Sequence, residues 1–200
     1  MIILEEKVLQ ERMKIGIDFD GVLFDSERMF QEHAVVYANK HNLGGAIRPD
    51  ELRAQKRYDW LAADMAAFIA ESTPFIENNA SVMPNAKRVL KELSKNHELV
   101  AITGRKTPES IERTNQRLKA ENIVFDKVIY AAEDKLEVCR NLGIELMIED
   151  YYDEVERLSS NGIECFYYNE FTSKSFQRDN VFEVHNWAEI REELKKRGMV

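Results

Sequence analysis

The sequence predicts an α/β protein: a three-layer, Rossmann-like parallel sheet of about five to six strands, with a small helical cap inserted after the first strand. Three observations predict it. The run Lys14-Ile15-Gly16-Ile17 places isoleucines at alternate positions and stops at Asp18-Phe19-Asp20-Gly21, as a strand does when its end leaves a sheet. From Pro84 onward, short apolar runs alternate with amphipathic ones, the pattern of parallel strands joined by covering helices. Between these two regions, residues 26–82 contain no strand-like run. The expected division is a core of residues 1–25 and 83–200 and a helical cap insertion of residues 26–82.

Taken in order, residues 1–12 mix charges and suit a short helical lead-in. After the first strand, Ser26 can cap a helix running to about Lys40, and His41 to Gly45 supply the turn that ends it. Asp50 can cap another, with Leu52, Leu61, Met65, Phe68 and Ile69 on its apolar face. A helix from Asn85 to Asn96 shows Ala86, Val89, Leu90 and Leu93 on one side. Leu99 to Thr103 is a buried strand, and Pro108 to Glu121 a helix with proline in its first turn. A strand at Lys127–Tyr130, a helix from Glu133 closed by Gly143, a strand at Leu146–Asp150 and a helix at Asp153–Ser160 follow. Ile163–Tyr168 is a further strand, Val181–Val184 an edge strand, and Asn186 caps the last helix to about Lys196.

Composition narrows the function. Asp and Glu number 36 against 28 Lys and Arg, a net charge of -8 with no basic stripe. A long nucleic-acid backbone needs clustered cations, so a polymer partner is not expected. A small phosphorylated molecule still fits, because a bound metal can carry the local positive charge. Cys139 and Cys165 lie among apolar neighbours and outside any CxxC pattern, which reads as free thiols in a reducing compartment. No apolar run approaches the roughly 20 residues of a membrane span, and Met1 to Leu4 are too short an apolar stretch for a signal peptide. The expected location is the cytoplasm. The four histidines, His33, His41, His97 and His185, show no metal-ligand spacing.

The chemistry gathers at the strand ends. Asp18 and Asp20, then Thr103-Gly104-Arg105, then Lys135, then Glu149-Asp150 all end or follow apolar runs on one edge of the expected sheet. Each alone has a plainer reading: a solvated turn, a strand-to-loop glycine, a helix lysine, an acidic helix start pleasing the macrodipole. Buried acids at strand ends, however, are costly without a cation. Mg2+ takes hard oxygen ligands and leaves part of its shell to water and phosphate, so Asp18, Asp20, Glu149 and Asp150 form a candidate metal set.

In this order the motifs resemble the haloacid dehalogenase superfamily of phosphotransferases: Asp18-Phe19-Asp20-Gly21-Val22-Leu23, a strand ending in Thr103, Lys135, and the acidic pair Glu149-Asp150. The likeness covers most of residues 13–168. Met83 to Lys87, Ile102 to Arg105 and Asn186-Trp187 resemble its 5'(3')-deoxyribonucleotidase-like branch more loosely. The resemblance implies that Asp18 attacks phosphorus, that Asp20 protonates the leaving oxygen and then activates water, and that Asp18, Asp150 and the Asp20 carbonyl hold Mg2+. It also implies that Thr103 and the Gly104 amide meet phosphate oxygens and that Lys135 offsets charge; Arg105, directly after Thr103-Gly104, is placed to touch the substrate or its phosphate. One departure stands out: that branch shows Asp-Asp where this chain has Glu149-Asp150, a pair also found in the phosphoglucomutase-like branch.

Within or beside the insertion, Phe24, Phe30, Arg48, Arg53, Lys56, Arg57, Tyr58, Trp60 and Phe75 are candidates to touch a substrate, although helical spacing makes several of them core or solvated face. The leading expectation is a Mg2+-dependent phosphomonoesterase acting on nucleoside 5'-monophosphates. A sugar-phosphate phosphatase or phosphomutase is the alternative among enzymes, and a non-catalytic phosphate- or Mg2+-binding protein the alternative outside them. A receiver-type phosphoacceptor would need an acid at the end of the third strand, where this chain has Tyr130-Ala131.

Overall fold

A computed structural model describes residues 12–200. Six parallel strands form one sheet in the order β3-β2-β1-β4-β5-β6: β1 Lys14–Ile17, β2 Glu98–Ile102, β3 Lys127–Ile129, β4 Leu146–Glu149, β5 Glu164–Tyr168 and β6 Val181–Val184. The order reverses direction at β1, which pairs with β2 on one side and β4 on the other. Ligands of open α/β sheets bind beyond the strand ends at such a reversal.

Side chains alternate along each strand between two buried faces. Ile15, Ile17, Leu99, Ala101, Leu146, Ile148 and Phe166 share one core with α4 (Ala86–Leu93), α5 (Pro108–Ala120) and α8 (Trp187–Lys196). Val100, Ile102, Met147, Cys165 and Tyr167 share the other with α6 (Lys135–Leu142) and α7 (Tyr152–Ser159). Both faces being covered explains why these strands read as continuous apolar runs. The Trp187 indole, fully buried at the start of α8, donates to the Val22 carbonyl at 2.8 Å and so ties the last helix to the loop after β1.

The insertion holds α1 (Ser26–His41), the one-turn α2 (Ala54–Arg57) and α3 (Ala62–Asn79), and no strand of the sheet. Its buried residues Ala34, Tyr37, Tyr58, Met65 and Phe68 form a separate small core. Chain entry and exit are clamped together where Phe24 bridges Val82.

Several caps differ from expectation. Ser26 is the first residue of α1 rather than its cap; its hydroxyl turns back, accepting from the Gly21 amide at 3.2 Å and donating to the Phe24 carbonyl. Asp50 caps nothing, because its carboxylate accepts from the Ser173 amide and hydroxyl at 2.6 and 2.9 Å. The helix expected from Asp50 is consequently two helices, broken where Tyr58 turns extended. That break lets Tyr58 and Trp60 stack at 4.4 Å and join Tyr37 and Phe68 in the insertion core, so tertiary packing overrides helix continuity. The helical lead-in expected over residues 1–12 lies, apart from Arg12, outside the described residues. Cys139 and Cys165 are free and buried, as expected. Among the described residues no helix is long and apolar enough to cross a membrane.

Candidate active site

A cavity of about 320 Å³ opens beyond the carboxyl ends of β1, β2 and β4. All eight residues expected at the site line it: Asp18, Asp20, Thr103, Gly104, Arg105, Lys135, Glu149 and Asp150. Parallel pairing explains the convergence. β1, β2 and β4 are neighbours in register, so residues that follow their last ladder positions emerge side by side. The Asp18 amide is held to the Ile148 carbonyl at 3.0 Å, and the Thr103 amide to Ile129 at 3.0 Å.

Lys135 occupies the floor. As the first residue of α6 it reaches back to the sheet edge, its Nζ 3.0 Å from Asp18 Oδ1 and 2.6 Å from Glu149 Oε2. Glu149 is almost fully buried, and its other oxygen accepts from the Tyr151 amide at 3.2 Å. Both Glu149 oxygens therefore have protein partners, whereas buried Asp150 Oδ2 has none. Carboxylate oxygens of Asp18, Glu149 and Asp150 lie within 4.8 Å of one another.

Three buried acids against one lysine leave negative charge uncompensated. Burial, then Glu149, push the Asp18 carboxyl up to about 7, with Lys135 only partly offsetting them. Burial, then Glu149 and Glu27, push Asp150 well above the usual carboxylate range. Burial alone would lower Lys135, but the carboxylates of Asp18 and Glu149 raise it, so it stays a cation. The charge imbalance, the oxygen-only donors and the unpartnered Asp150 oxygen fit a hard divalent cation such as Mg2+. Gly21 makes room for this set: its φ is +76°, and a Cβ there would sit 1.8 Å from Asp150 Oδ2.

Thr103 is buried, and its hydroxyl accepts from the Arg105 amide at 3.3 Å, leaving its own proton free to donate. Gly104 is exposed beside it. Arg105 departs from expectation. Its buried guanidinium does not stand open for a phosphate but grips Asp20, with Nε 3.1 Å from Oδ2 and Nη2 2.5 Å from Oδ1. Burial opposes ionisation of Asp20, yet Arg105 outweighs it and holds the carboxyl below its ordinary value.

Sequence reasoning missed Glu27 in the wall, whereas Arg53 and Lys56 were among the residues expected within reach. Glu27, in the first turn of α1, lines the cavity, and burial followed by the charges of Asp20 and Asp18 pushes it up to about 8. Its place one turn beyond the aspartate loop was the available signal. Arg53 reaches the rim with its guanidinium 3.8 Å from the Tyr151 ring centre. Asp153 lies in the first turn of α7, as expected, and also pairs with Lys56 at 2.6 Å across the mouth.

Comparison with known proteins adds the following. No family profile matches the chain. A nucleotidase of Clostridium acetobutylicum is 25% identical over 116 residues, covering 58% of this chain and only 60% of that protein's length. A Bacillus subtilis protein, named as a presumed nucleotidase, is 24% identical over 189 residues, covering 88% of this chain and 91% of its own. Among solved structures, a haloacid dehalogenase-like hydrolase of Streptococcus pneumoniae superposes with a TM-score of 0.66 at 15% identity, over 92% of this chain and 98% of that one. This chain has the haloacid dehalogenase-like fold. A presumed β-phosphoglucomutase of Bacteroides vulgatus shares the haloacid dehalogenase-like architecture with a TM-score of 0.63 at 17% identity, over 94% of this chain and 90% of that one.

Proposed function

We propose that the protein is a Mg2+-dependent phosphomonoesterase that works through an aspartyl-phosphate on Asp18, with nucleoside 5'-monophosphates as its substrate class. The observation that carries the reading is the set Asp18, Lys135 and Asp150: a buried carboxylate beside a fixed cation and a second, unpartnered carboxylate, at the reversal point of the sheet. Asp18, Asp150 and the Asp20 carbonyl would hold the cation, with Glu149 at its edge fixing Lys135. When bound, the cation would neutralise phosphate charge and keep Asp18 ionised as a nucleophile. Asp18 forms the new O–P bond as the ester oxygen leaves, and Asp20 supplies the proton that the departing oxygen needs. Water then releases inorganic phosphate, giving its proton to Asp20. Thr103 and Gly104 orient the phosphoryl oxygens, and Lys135 offsets their charge.

Residues 26–82 act as the cap, excluding water and selecting substrate. The two relatives named for nucleotidase activity support nucleotides. A second reading, a sugar-phosphate phosphatase or phosphomutase, is favoured by Glu149 standing where the nucleotidase-like branch has Asp. The partner is a small phosphorylated metabolite in a reducing cytoplasm.

Phosphate release from nucleotides, sugar phosphates and an aryl phosphate, with Mg2+ and with chelator, tests this beside Asp18→Asn. Metal-dependent release abolished by the substitution is expected, with nucleoside monophosphates ranked first. Asp18→Asn as active as the parent would sink the mechanism, and sugar phosphates ranked first would replace the substrate class.

A further inference from the structure

The Arg105 guanidinium is held on every side. Besides its two bonds to Asp20, Nη1 donates to Thr114 Oγ1 of α5 at 2.9 Å, and Glu77 of α3 stands 4.0 Å from Nε. Glu77 is itself buried and fixed by Arg113 at 2.6 Å and by the Ser110 hydroxyl. The rings of Phe19 and Phe24 flank the guanidinium at 5.8 and 5.7 Å from their centres. A planar fork with two parallel N–H groups matches both oxygens of one carboxylate, and fixes its direction as a point charge cannot. Anchors from the core helix α5 and from α3 of the insertion thus converge on the guanidinium that grips Asp20.

We propose that Arg105 is a positioning residue that holds Asp20 as an oriented carboxylate for the water-activating half of the reaction, rather than a ligand of the substrate phosphate. The proposal rests on the phosphatase reading above. In that half-reaction the water oxygen bonds to phosphorus, its proton passes to Asp20, and the P–O bond to Asp18 breaks with the electron pair returning to the Asp18 carboxylate. With both of its oxygens held by one fork, the Asp20 carboxylate is aimed in a fixed direction for accepting that proton. The first half asks the same group for a proton, so a leaving group that needs none isolates the second half, where the aim of the Asp20 oxygens is what is read.

The test is rapid mixing of p-nitrophenyl phosphate and Mg2+ with the parent and with Arg105→Gln. This leaving group needs no proton, so formation of the phospho-enzyme is reported separately from its hydrolysis. General-base contributions run to about 10²–10⁴-fold, and loss of orientation alone is expected to slow steady turnover of Arg105→Gln about 10- to 100-fold. A burst near one p-nitrophenolate per protein should then appear, with acid-stable phosphate trapped on the chain. Arg105→Lys should keep most of the burst, because it restores charge without the fork. Where Arg105→Gln does not fold, Thr114→Val removes one anchor and should give a smaller burst.

Uniform slowing without a burst or trapped phosphate would overturn the assignment, as would full rescue by lysine. A raised KM with weakened inhibition by inorganic phosphate, at unchanged kcat, would return Arg105 to the phosphate. A parent protein with no turnover on any phosphate ester would instead sink the phosphatase reading, and this assignment with it.

Discussion

Lys135 and Glu149 form a 2.6 Å ion pair beneath Asp18, joining the first residue of α6 to the last residue of β4. Each is almost wholly buried, so neither charge can turn to water if its partner is removed. Glu149→Gln keeps the shape and loses the charge, leaving Lys135 paired with Asp18 alone. Losing the group that orients a site residue typically costs 10–100-fold in activity or metal affinity. A fall of about that size in kcat/KM is expected, with the protein still folded. Glu149→Ala, which also opens a hole, should cost about 3–5 kcal/mol in urea unfolding.

The acids of the site make cation binding depend on pH. The folded-state values of Asp18, about 7, and of Asp150 lie above the roughly 4 of an unfolded chain. For a carboxyl raised in this way, stability is fully present below the unfolded value and is lost as pH rises through the folded value. The cation-free protein should therefore forfeit stability between about pH 4 and pH 7 at these groups. Mg2+ bound as proposed would compete with those protons and restore what ionisation costs. Calorimetry should show Mg2+ raising Tm by about 5 °C or more at pH 8 and by much less at pH 5.5. Equal shifts at both values would remove Asp18 and Asp150 from the cation site.

How much of this was legible in the sequence depended on whether a residue's role was set locally. Asp18, Thr103 and Glu149-Asp150 end apolar runs, so strand periodicity alone placed them on one edge. Lys135 was legible because the helix following β3 begins where the strand spacing demands it. The grip of Arg105 on Asp20 was not legible because the two lie 85 positions apart: nothing local says that Asp20 will meet the guanidinium. Glu77 and Arg113 were invisible for the same reason, being 36 positions apart on separate helices. Asp50 looked like a helix cap because Asp is a good one, yet a loop 123 residues later offered Ser173. The break at Tyr58 followed from aromatic packing that no pattern within the segment reports.

Gly21 offers a test of the site that leaves every charged group in place. Its positive φ costs an L-residue about 1 kcal/mol or more, and an alanine methyl would fall on the Asp150 carboxylate. Gly21→Ala should fold with a loss of about 1–2 kcal/mol. It should also lose the Mg2+-induced rise in Tm together with most phosphate release, because Asp150 must move. Retention of both would show that Asp150 is not a ligand of the cation.

Across the mouth, the insertion is fastened by contacts of unequal strength. Lys56 and Asp153 are each about half exposed, and such a pair contributes no more than about 1 kcal/mol. Arg53 lies flat against Tyr151, which itself donates to Asp153 at 2.8 Å, so one ring gathers two insertion cations onto the start of α7. A fastening of this kind holds the mouth at small cost and yields to a modest push, which suits the cap role proposed for residues 26–82. Lys56→Ala should leave urea stability within about 0.5 kcal/mol. Tyr151→Ala, which frees Arg53 and leaves Lys56 on Asp153 alone, should raise KM for the preferred phosphate ester about tenfold while altering kcat less. If KM is unchanged and kcat alone falls, Tyr151 acts on the chemical step and not on the closing of the mouth.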